Sequence, residues 1–328
     1  MNTRQDNQAQ NTPFGTGYLA DCIGFNIEKS AAVQILHGTF IPNPDVTLLP
    51  ETHKVIECLK KPFAAGTPFP TTITAQEFQA TYNIVRERTS SSMSGRHVGH
   101  YKAAAQDDGL SQIHATMMSL PYKTGFSPQR WHNIVDVMLK KEPGNPKLHR
   151  LRMIALIESD YNQLQRILLA RHLTHRMEDQ NLVPEMQYGS RPGKLCITPV
   201  LNKQLTHDII RQTKQTAAII ENDAVGCYDH LMNPLLLLAM RRLGVPETMT
   251  KSLGLTWSHT RHAIKTQYGV STITYTNKPS TPLFGPSQGS TTGPTLWQLS
   301  YVLLTASTLA QVKKKVIRTT MMIAQFLA

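Results

Sequence analysis

The spacing of apolar and polar residues predicts a chain built mostly from helices. Apolar positions three and four residues apart predict a helix over 75–88, with Thr74 as its N-cap, and a long amphipathic helix over 161–178. Similar spacing predicts a helix that runs to about Leu120 and another over 129–140. The apolar face of the long helix cannot be followed to its end from spacing alone, because it continues at either His172 or Leu173.

The second half of the chain adds strands to this pattern. Asn233 followed by Pro234 predicts a helix start with Asn as N-cap and Pro in the first turn. Two short segments, 262–268 and 271–276, predict a β-hairpin, and the apolar stretch 296–310, broken by polar residues, predicts a buried helix. The expected class is α+β, mostly helical with a small antiparallel sheet.

Composition narrows the function classes. No apolar run approaches the roughly 20 residues that a membrane-spanning helix needs, so no membrane partner is expected. The first residues lack the apolar core of a secretory signal, which predicts a nuclear or cytoplasmic protein that is not secreted. The formal net charge of +12 favours a polyanionic partner such as nucleic acid, although an ordinary basic protein is the alternative.

Basic residues concentrate around one predicted turn. The window 140–152 carries Lys140, Lys147, Arg150 and Arg152 around a Pro- and Gly-containing turn, between apolar flanks. Such a loop is suited to binding phosphates, because cations held at one place attract a polyanion. A solvated basic loop without a ligand is the alternative.

A second basic cluster follows the Ser-rich stretch near residue 90. It contains Arg96, His97, His100 and Lys102. Metal binding through the two histidines is disfavoured, because no second ligand pair lies nearby in sequence. Contact with nucleic acid and an ordinary surface both remain open.

Two carboxylates at the end of an apolar run point to a metal site. The run 217–220 predicts a strand, so Asp223 is expected at its carboxyl end, with Asp229 six positions later and Tyr228 just before it. Mg²⁺ prefers carboxylate oxygens and keeps several of its waters, so a few well-placed Asp residues can hold it. A pair of acids in a turn after a strand is the alternative.

A glycine-rich segment, 285–294, follows the predicted hairpin. It contains Gln288 and Gly289 and ends at Pro294, just before the predicted buried helix. Its glycines permit close approach of the backbone to another group. A plain strand–turn–helix with glycines at the turn is the alternative when the segment is taken alone.

The order of these segments resembles the reverse transcriptase domain of non-LTR retrotransposons, over roughly residues 80–310. The segments 223–229 and 285–294 match the family's motifs A and B. Three upstream segments are similar to its basic strand, its Arg-Pro-Ile-x-Leu segment with Met153 in place of Pro, and its Gln-x-Gly-Phe-Arg segment with Ser190 in place of Phe: 137–141, 150–156 and 187–193.

The resemblance implies RNA-templated DNA synthesis by two-metal nucleotidyl transfer. It implies Asp223 as the catalytic carboxylate and metal ligand, and the carbonyl of Ala224 as a second ligand to Mg²⁺ or Mn²⁺. It places Tyr228 under the sugar of the incoming nucleotide, whereas Asp229 is expected to order the next helix. The implied partners are an RNA template, a DNA primer and dNTP.

The resemblance also assigns residues that bind the nucleotide or the template. In the basic loop these are Lys140, Arg150 and Arg152, and Arg152 is favoured because it occupies the position of the family's Arg. In the glycine-rich segment they are Gln288 and Gly289, the latter because it lets the backbone approach the template or the incoming base.

The same resemblance divides the chain into three parts. We expect a poorly defined N-terminal flank over 1–75, a fingers-like region with the basic loop over 76–215, and an incomplete palm over 216–328, as in right-hand polymerases. The palm is expected to be incomplete because the family's third motif, an aromatic residue followed after one position by two Asp residues, is not found.

The only paired aspartates, Asp107 and Asp108, precede motif A and follow no predicted strand. The stretch 325–327 is similar to the start of the missing motif. The expectation is therefore a truncated domain that is inactive as a polymerase. A non-catalytic RNA- or DNA-binding remnant is the alternative.

Overall fold

The computed structural model of the 328-residue chain describes the following residues: 12–60, 68–89, 92–141, 143–144, 147, 151–185, 187–195, 197–214, 216, 227–278 and 282–309. Most of the described residues are helical, and a single four-stranded sheet accompanies them. The prediction of an α+β chain that is mostly helical is confirmed at this level. The helices, in chain order, are α1 (Tyr18–Ile23), α2 (Ser30–His37), α3 (Pro50–Lys60), α4 (Ala75–Ile84), α5 (Val98–Ala104), α6 (Asp108–Thr124), α7 (Ser159–Leu164), α8 (Arg171–Asp179), α9 (Ile197–Thr213), α10 (Asn233–Arg242), α11 (Glu247–Ser258) and α12 (Gly293–Leu309).

The sheet contains four strands in the order β2-β1-β3-β4: β1 (Asn133–Lys140), β2 (Leu151–Leu156), β3 (Arg261–Thr266) and β4 (Gly269–Thr276). β1 pairs antiparallel with β2, and β3 pairs antiparallel with β4; the second pair is the hairpin that the sequence predicted. β1 and β3 are parallel, so the expected antiparallel sheet is in fact mixed. β2 and the helices α7–α11 lie between these two strands along the chain, and parallel pairing requires a long connection of this kind.

The helix predicted over 129–140 is wrong. Gln129–His132 forms a short 3₁₀ turn, and the chain then enters β1. Ile134, Val135 and Asp136 are all buried, so the first half of this strand is covered on both faces. A strand buried on both faces has a continuous apolar run, which periodicity alone does not separate from a helix.

The helix that begins after Thr74 is confirmed and carries a full capping box. The Thr74 hydroxyl accepts a hydrogen bond from the Glu77 backbone N–H at 3.1 Å, and the Glu77 carboxylate accepts one from the Thr74 N–H at 2.9 Å. The helix ends at Ile84, earlier than predicted, because Val85 has an extended backbone. The capping box thus satisfies two backbone N–H donors at the N-terminus of the helix.

The predicted long helix over 161–178 is present but changes its winding. Gln165–Ala170 is a π-helical segment between α7 and α8, and the backbone remains right-handed helical through both junctions. Leu168 and Leu173 are fully buried, while His172 is only partly buried. In a π-helical turn the fifth residue after Leu168, not the fourth, lies above it. The apolar face of the helix therefore continues at Leu173 and not at His172.

The core is formed by helices from both ends of the described chain. Leu19, Ile35 and Leu59 belong to the same buried cluster as Leu296 and Leu299 of α12. Thus α1–α3, in the part expected to be a poorly defined flank, pack into the common core. The domain boundaries at 75 and 215 stay predictions. No described helix is both long enough and apolar enough to span a bilayer.

Candidate functional site

The end of the motif A segment lies against the start of the glycine-rich segment. Cys227–His230 forms a 3₁₀ turn just before α10. Gly285 has φ +85°, and a Cβ added to it would lie 1.8 Å from the Tyr228 carbonyl oxygen. Gly293 packs on the Tyr228 ring, since a Cβ there would lie 3.3 Å from ring carbons. The structure therefore brings Tyr228 and the 285–294 segment together, whereas Asp223 and Ala224 lie outside the described residues.

We call residues 285–293 of the glycine-rich segment the 285–293 loop. The middle of this loop lies along the free edge of β2. The Ala155 N–H donates to the Gln288 carbonyl at 2.6 Å. A Cβ on Gly289, whose φ is +124°, would lie 2.2 Å from the Ala155 carbonyl oxygen. The close approach that glycine permits here is thus first of all to β2, a contact that sequence reasoning missed. Gln288 is half-buried and Gly289 is exposed. Ala155, which both residues contact, lies three residues along β2 from Arg152.

The base of the loop is held by a residue that was predicted to cap a helix. Asn233 was expected as the N-cap of α10, but the helix begins at Asn233 and Met232 takes the cap position. The Asn233 carboxamide instead accepts from the Gly285 N–H at 3.0 Å and donates to the Leu283 carbonyl at 3.4 Å. This side chain is buried, so its hydrogen bonds fix the entry into the loop.

The basic residues of β1 and β2 do not all point the same way. Leu139 is the cross-strand partner of Arg152, and Lys140 is the partner of Leu151. Because side chains alternate along a strand, Lys140 and Arg152 lie on opposite faces of the sheet. Both are exposed, and Arg150 lies outside the described residues.

The face that carries Arg152 also carries two basic residues that the sequence did not single out. Val137 pairs with Lys265 and Asn133 pairs with Arg261, which places these two cations on the face of Leu139 and Arg152. All three cations are exposed and form no salt bridge within the described part of the chain. We call Arg152, Arg261 and Lys265 the basic sheet face. Pairing between distant strands creates it, so no local sequence signal could have found it.

The opposite face of the sheet buries a polar network. The Asp136 carboxylate, which is fully buried, accepts a hydrogen bond from the Tyr275 hydroxyl at 2.5 Å and lies 3.1 Å from His262 Nδ1. The His262 and Tyr275 rings are stacked, with centroids 4.8 Å apart. These contacts join β1, β3 and β4. The network therefore holds the β3–β4 hairpin, which carries Lys265, against β1, whose other neighbour β2 carries Arg152.

A second buried network anchors the helix next to the 285–293 loop. Arg130 forms ion pairs with Glu158 and Asp160, whose side chains are buried at the start of α7. Burial acts to lower the pKa of Arg130, but the hydrogen bond and charge of Asp160 outweigh it, so that the pKa is raised above its usual range. The Ser92 hydroxyl also donates to Glu158, at 2.5 Å. The Ser-rich stretch is therefore tied to the start of α7.

The basic cluster after this stretch is partly structural. Lys102 Nζ donates to the carbonyls of Tyr82, Asn83 and Val85 at 3.0–3.2 Å and so caps the end of α4. His97 Nδ1 accepts from the Gly99 N–H at 3.1 Å and caps α5. A shared role of the whole cluster in binding a polyanion is therefore not supported.

The segment similar to Gln-x-Gly-Phe-Arg packs onto α12. Arg191 pairs with Glu178 at 2.6 Å and donates to the Gln187 carbonyl at 2.9 Å. The Gln298 side chain donates to the carbonyls of Gly189 and Ser190 at 2.8 and 2.9 Å. This segment therefore links the end of α8 to the helix that follows the 285–293 loop.

The described residues include no group of three or more His, Cys, Asp or Glu side chains arranged to hold a metal ion. What they do bring together is a strained loop with an exposed Gly289, the Tyr228 turn, and an edge strand that carries Arg152. Such an arrangement can present backbone groups, an amide side chain and cations to a phosphorylated ligand.

A model of the family described as reverse transcriptase (RNA-dependent DNA polymerase) matches residues 139–321. No curated protein matches the chain. The family match spans more than half of the 328 residues and includes β2, the Tyr228 turn and the 285–293 loop. This chain belongs to the reverse transcriptase (RNA-dependent DNA polymerase) family.

Proposed function

We propose that the chain is the reverse transcriptase domain of a non-LTR retrotransposon and that its site is built for RNA-templated DNA synthesis. The family implies a nucleic-acid template and nucleotide substrates, and it generally uses divalent metal ions. The observation that carries the proposal is the position of the 285–293 loop. One side of it lies on the Tyr228 turn and the other on β2 at Ala155, three residues along the strand from Arg152.

Each part of this arrangement has a proposed role. Tyr228 lies under the sugar of the incoming dNTP, and Gln288 with Gly289 borders the base pair that forms. Arg152 binds the triphosphate, for which a guanidinium is suited by its fork of donors. Lys140, on the other face of the sheet, and Arg150 contact the template backbone.

Asp223, with the carbonyl of Ala224, is our proposed ligand for Mg²⁺ or Mn²⁺. A bound ion would activate the primer 3′-oxygen and stabilise the leaving pyrophosphate. The family's third motif supplies further carboxylates to the metal site, but no Asp or Glu follows Glu247 in the 328 residues. We therefore propose that this polypeptide, tested by itself, binds template–primer and dNTP but does not extend the primer.

Primer extension on a poly(rA) template with an oligo(dT) primer, dTTP and Mg²⁺ or Mn²⁺ tests this proposal. We expect binding of the template–primer without extension. Extension that disappears in Asp223→Ala would show a complete metal site and refute the proposed inactivity. A chain that binds neither the template–primer nor dTTP would refute the polymerase site itself.

The second candidate function, binding of RNA or DNA without catalysis, is favoured by the basic sheet face. Its three cations are exposed and free of described ion pairs, so each can neutralise a phosphate. Salt-sensitive RNA binding without any dNTP binding would favour this second function. Binding of both ligands would favour the first.

A further inference from the structure

Two polar residues on the helix after β2 lie against the 285–293 loop. Asn162 is in α7, and Gln165 follows three positions later, at the start of the π-helical segment. Residues three apart share one face of a helix, so both side chains reach the same loop. Neither residue belongs to the sequence segments that resemble the family's motifs.

Asn162 pairs with the loop as a neighbouring strand would. Its Nδ2 donates to the Gly289 carbonyl at 3.1 Å, and its Oδ1 accepts from the Thr291 N–H at 2.8 Å. The backbone carbonyl of Asn162 also accepts from the Thr291 hydroxyl at 2.7 Å. Only a side chain with a donor and an acceptor in one plane can make the first two bonds together. An aspartate of the same shape would place a second acceptor against the Gly289 carbonyl.

Gln165 holds the part of the loop that follows. Its side chain is buried, and Oε1 accepts from the Thr292 hydroxyl at 2.9 Å and from the Ser290 hydroxyl at 3.5 Å. Ser290 and Thr292 are also hydrogen-bonded to each other, at 2.7 Å. Gln165 therefore fixes the buried end of the loop, whereas Asn162 fixes the end next to the exposed Gly289.

The loop needs such support because its backbone is strained. Ser287 has φ +65°, and Gly285 and Gly289 have φ +85° and +124°. A left-handed non-glycine residue persists only where surrounding contacts hold it. β2 supplies one hydrogen bond to the exposed part, at the Gln288 carbonyl, and Asn162 supplies the next ones along the chain.

We propose that Asn162 is a positioning residue for the nucleotide site. It sets the orientation of the peptide units around Gly289 and thereby the side of Gln288 and Gly289 that faces the incoming dNTP. This inference rests on the proposed function, because it assigns to the loop the role of bordering the nucleotide. Asn162 itself need not touch the ligand.

The test compares Asn162→Asp and Asn162→Ala with Arg166→Lys, a change at an exposed position of the same helix that keeps its charge. Three quantities are measured for each protein: amide hydrogen exchange at Thr291, the Kd for dTTP on poly(rA)·oligo(dT), and the Kd for the template–primer alone. We expect Asn162→Ala, which removes the acceptor of the Thr291 N–H, to speed exchange at Thr291 and weaken dTTP binding by about tenfold each, the size of effect that loss of one well-formed hydrogen bond gives. Asn162→Asp keeps that acceptor and loses only the donor to the Gly289 carbonyl, so it should weaken dTTP binding with little change in exchange at Thr291. Template–primer affinity should stay within about twofold, because the cations that bind it are unchanged. Arg166→Lys should change none of the three quantities.

The outcomes separate the positioning role of Asn162 from the proposed function of the site. Faster exchange at Thr291 with unchanged dTTP affinity would overturn the positioning role, since the loop would then have moved without effect on the nucleotide. Unchanged exchange at Thr291 in Asn162→Ala would overturn it as well. A wild-type chain that binds template–primer but no dTTP would overturn the proposed function and with it the nucleotide role of Asn162, whatever the variants do. Equal loss of dTTP and template–primer binding would show a merely structural role.

Discussion

The contact between the 285–293 loop and β2 can be tested with two glycines that have nearly the same positive φ. Gly289 has φ +124° and Gly269, the first residue of β4, has φ +125°. Alanine at either position must adopt a backbone that only glycine tolerates, at a cost of about 1–3 kcal/mol. Their surroundings differ, because a Cβ at Gly269 meets nothing within 4 Å, whereas at Gly289 it would lie 2.2 Å from the Ala155 carbonyl oxygen.

The difference between the two variants therefore isolates the contact with β2. Overpacking against atoms that cannot move costs about 1–3 kcal/mol. We expect Gly289→Ala to lower the free energy of unfolding by roughly 1–3 kcal/mol more than Gly269→Ala does, since the backbone strain cancels. In addition, the Ala155 N–H, which donates to Gln288 at 2.6 Å, should lose protection from hydrogen exchange in Gly289→Ala only.

Urea unfolding monitored by circular dichroism measures both free energies, provided that the two variants show the same dependence on urea concentration. Equal destabilisation by the two substitutions would refute the reasoning, because it would mean that the loop does not rest on β2. A larger effect at Gly269 would refute it too.

Three further changes test other parts of the structure. Tyr275→Phe removes a donor to the buried carboxylate of β1 and should destabilise the chain by about 1–3 kcal/mol in urea unfolding, whereas Tyr268→Phe, at a 91% exposed position, should have no effect. Arg152→Gln tests the second candidate function: if the basic sheet face binds RNA, the change should reduce the slope of log affinity against log salt for single-stranded RNA by about one, as titrations at several salt concentrations would show. An unchanged slope would argue against a contact between Arg152 and an RNA phosphate. Burial, with the nearby charges of His259 and Arg261, lowers the pKa of His132, so the unfolded chain binds more protons near pH 6 and stability should fall as the pH drops from neutrality through roughly 6.5 and below. His132→Gln should flatten this dependence of the urea midpoint on pH, and an identical dependence in both proteins would contradict the assignment.

Local sequence signals predicted the elements whose causes are local. The Thr74–Glu77 capping box, the β3–β4 hairpin and the buried α12 depend on residues within a few positions of each other. The prediction over 129–140 failed because the pattern of a strand covered on both faces depends on what packs against it. Asn233 failed as a cap for a related reason, since its side chain binds a loop some fifty residues away in sequence.

The candidate site divides in the same way. Gln288, Gly289 and Tyr228 were found from sequence because their segments resemble a family pattern, and the structure brings these segments together. Lys265 and Arg261 were missed, because they join Arg152 only through the parallel pairing of β1 with β3. Asn162 was missed because its role depends on the path of a loop more than a hundred residues later.

The π-helical segment Gln165–Ala170 has a consequence for how chains of this kind should be aligned. Deleting one residue after Leu168 from this segment would restore α-helical winding, in which the fourth residue after Leu168, not the fifth, lies above it. Leu173 would become that fourth residue and stay in the core, while Asn162 stayed at the loop. Related chains that are one residue shorter here should therefore carry their apolar residue four positions after the one that corresponds to Leu168. An alignment that places the gap elsewhere would pair residues from opposite faces of the helix.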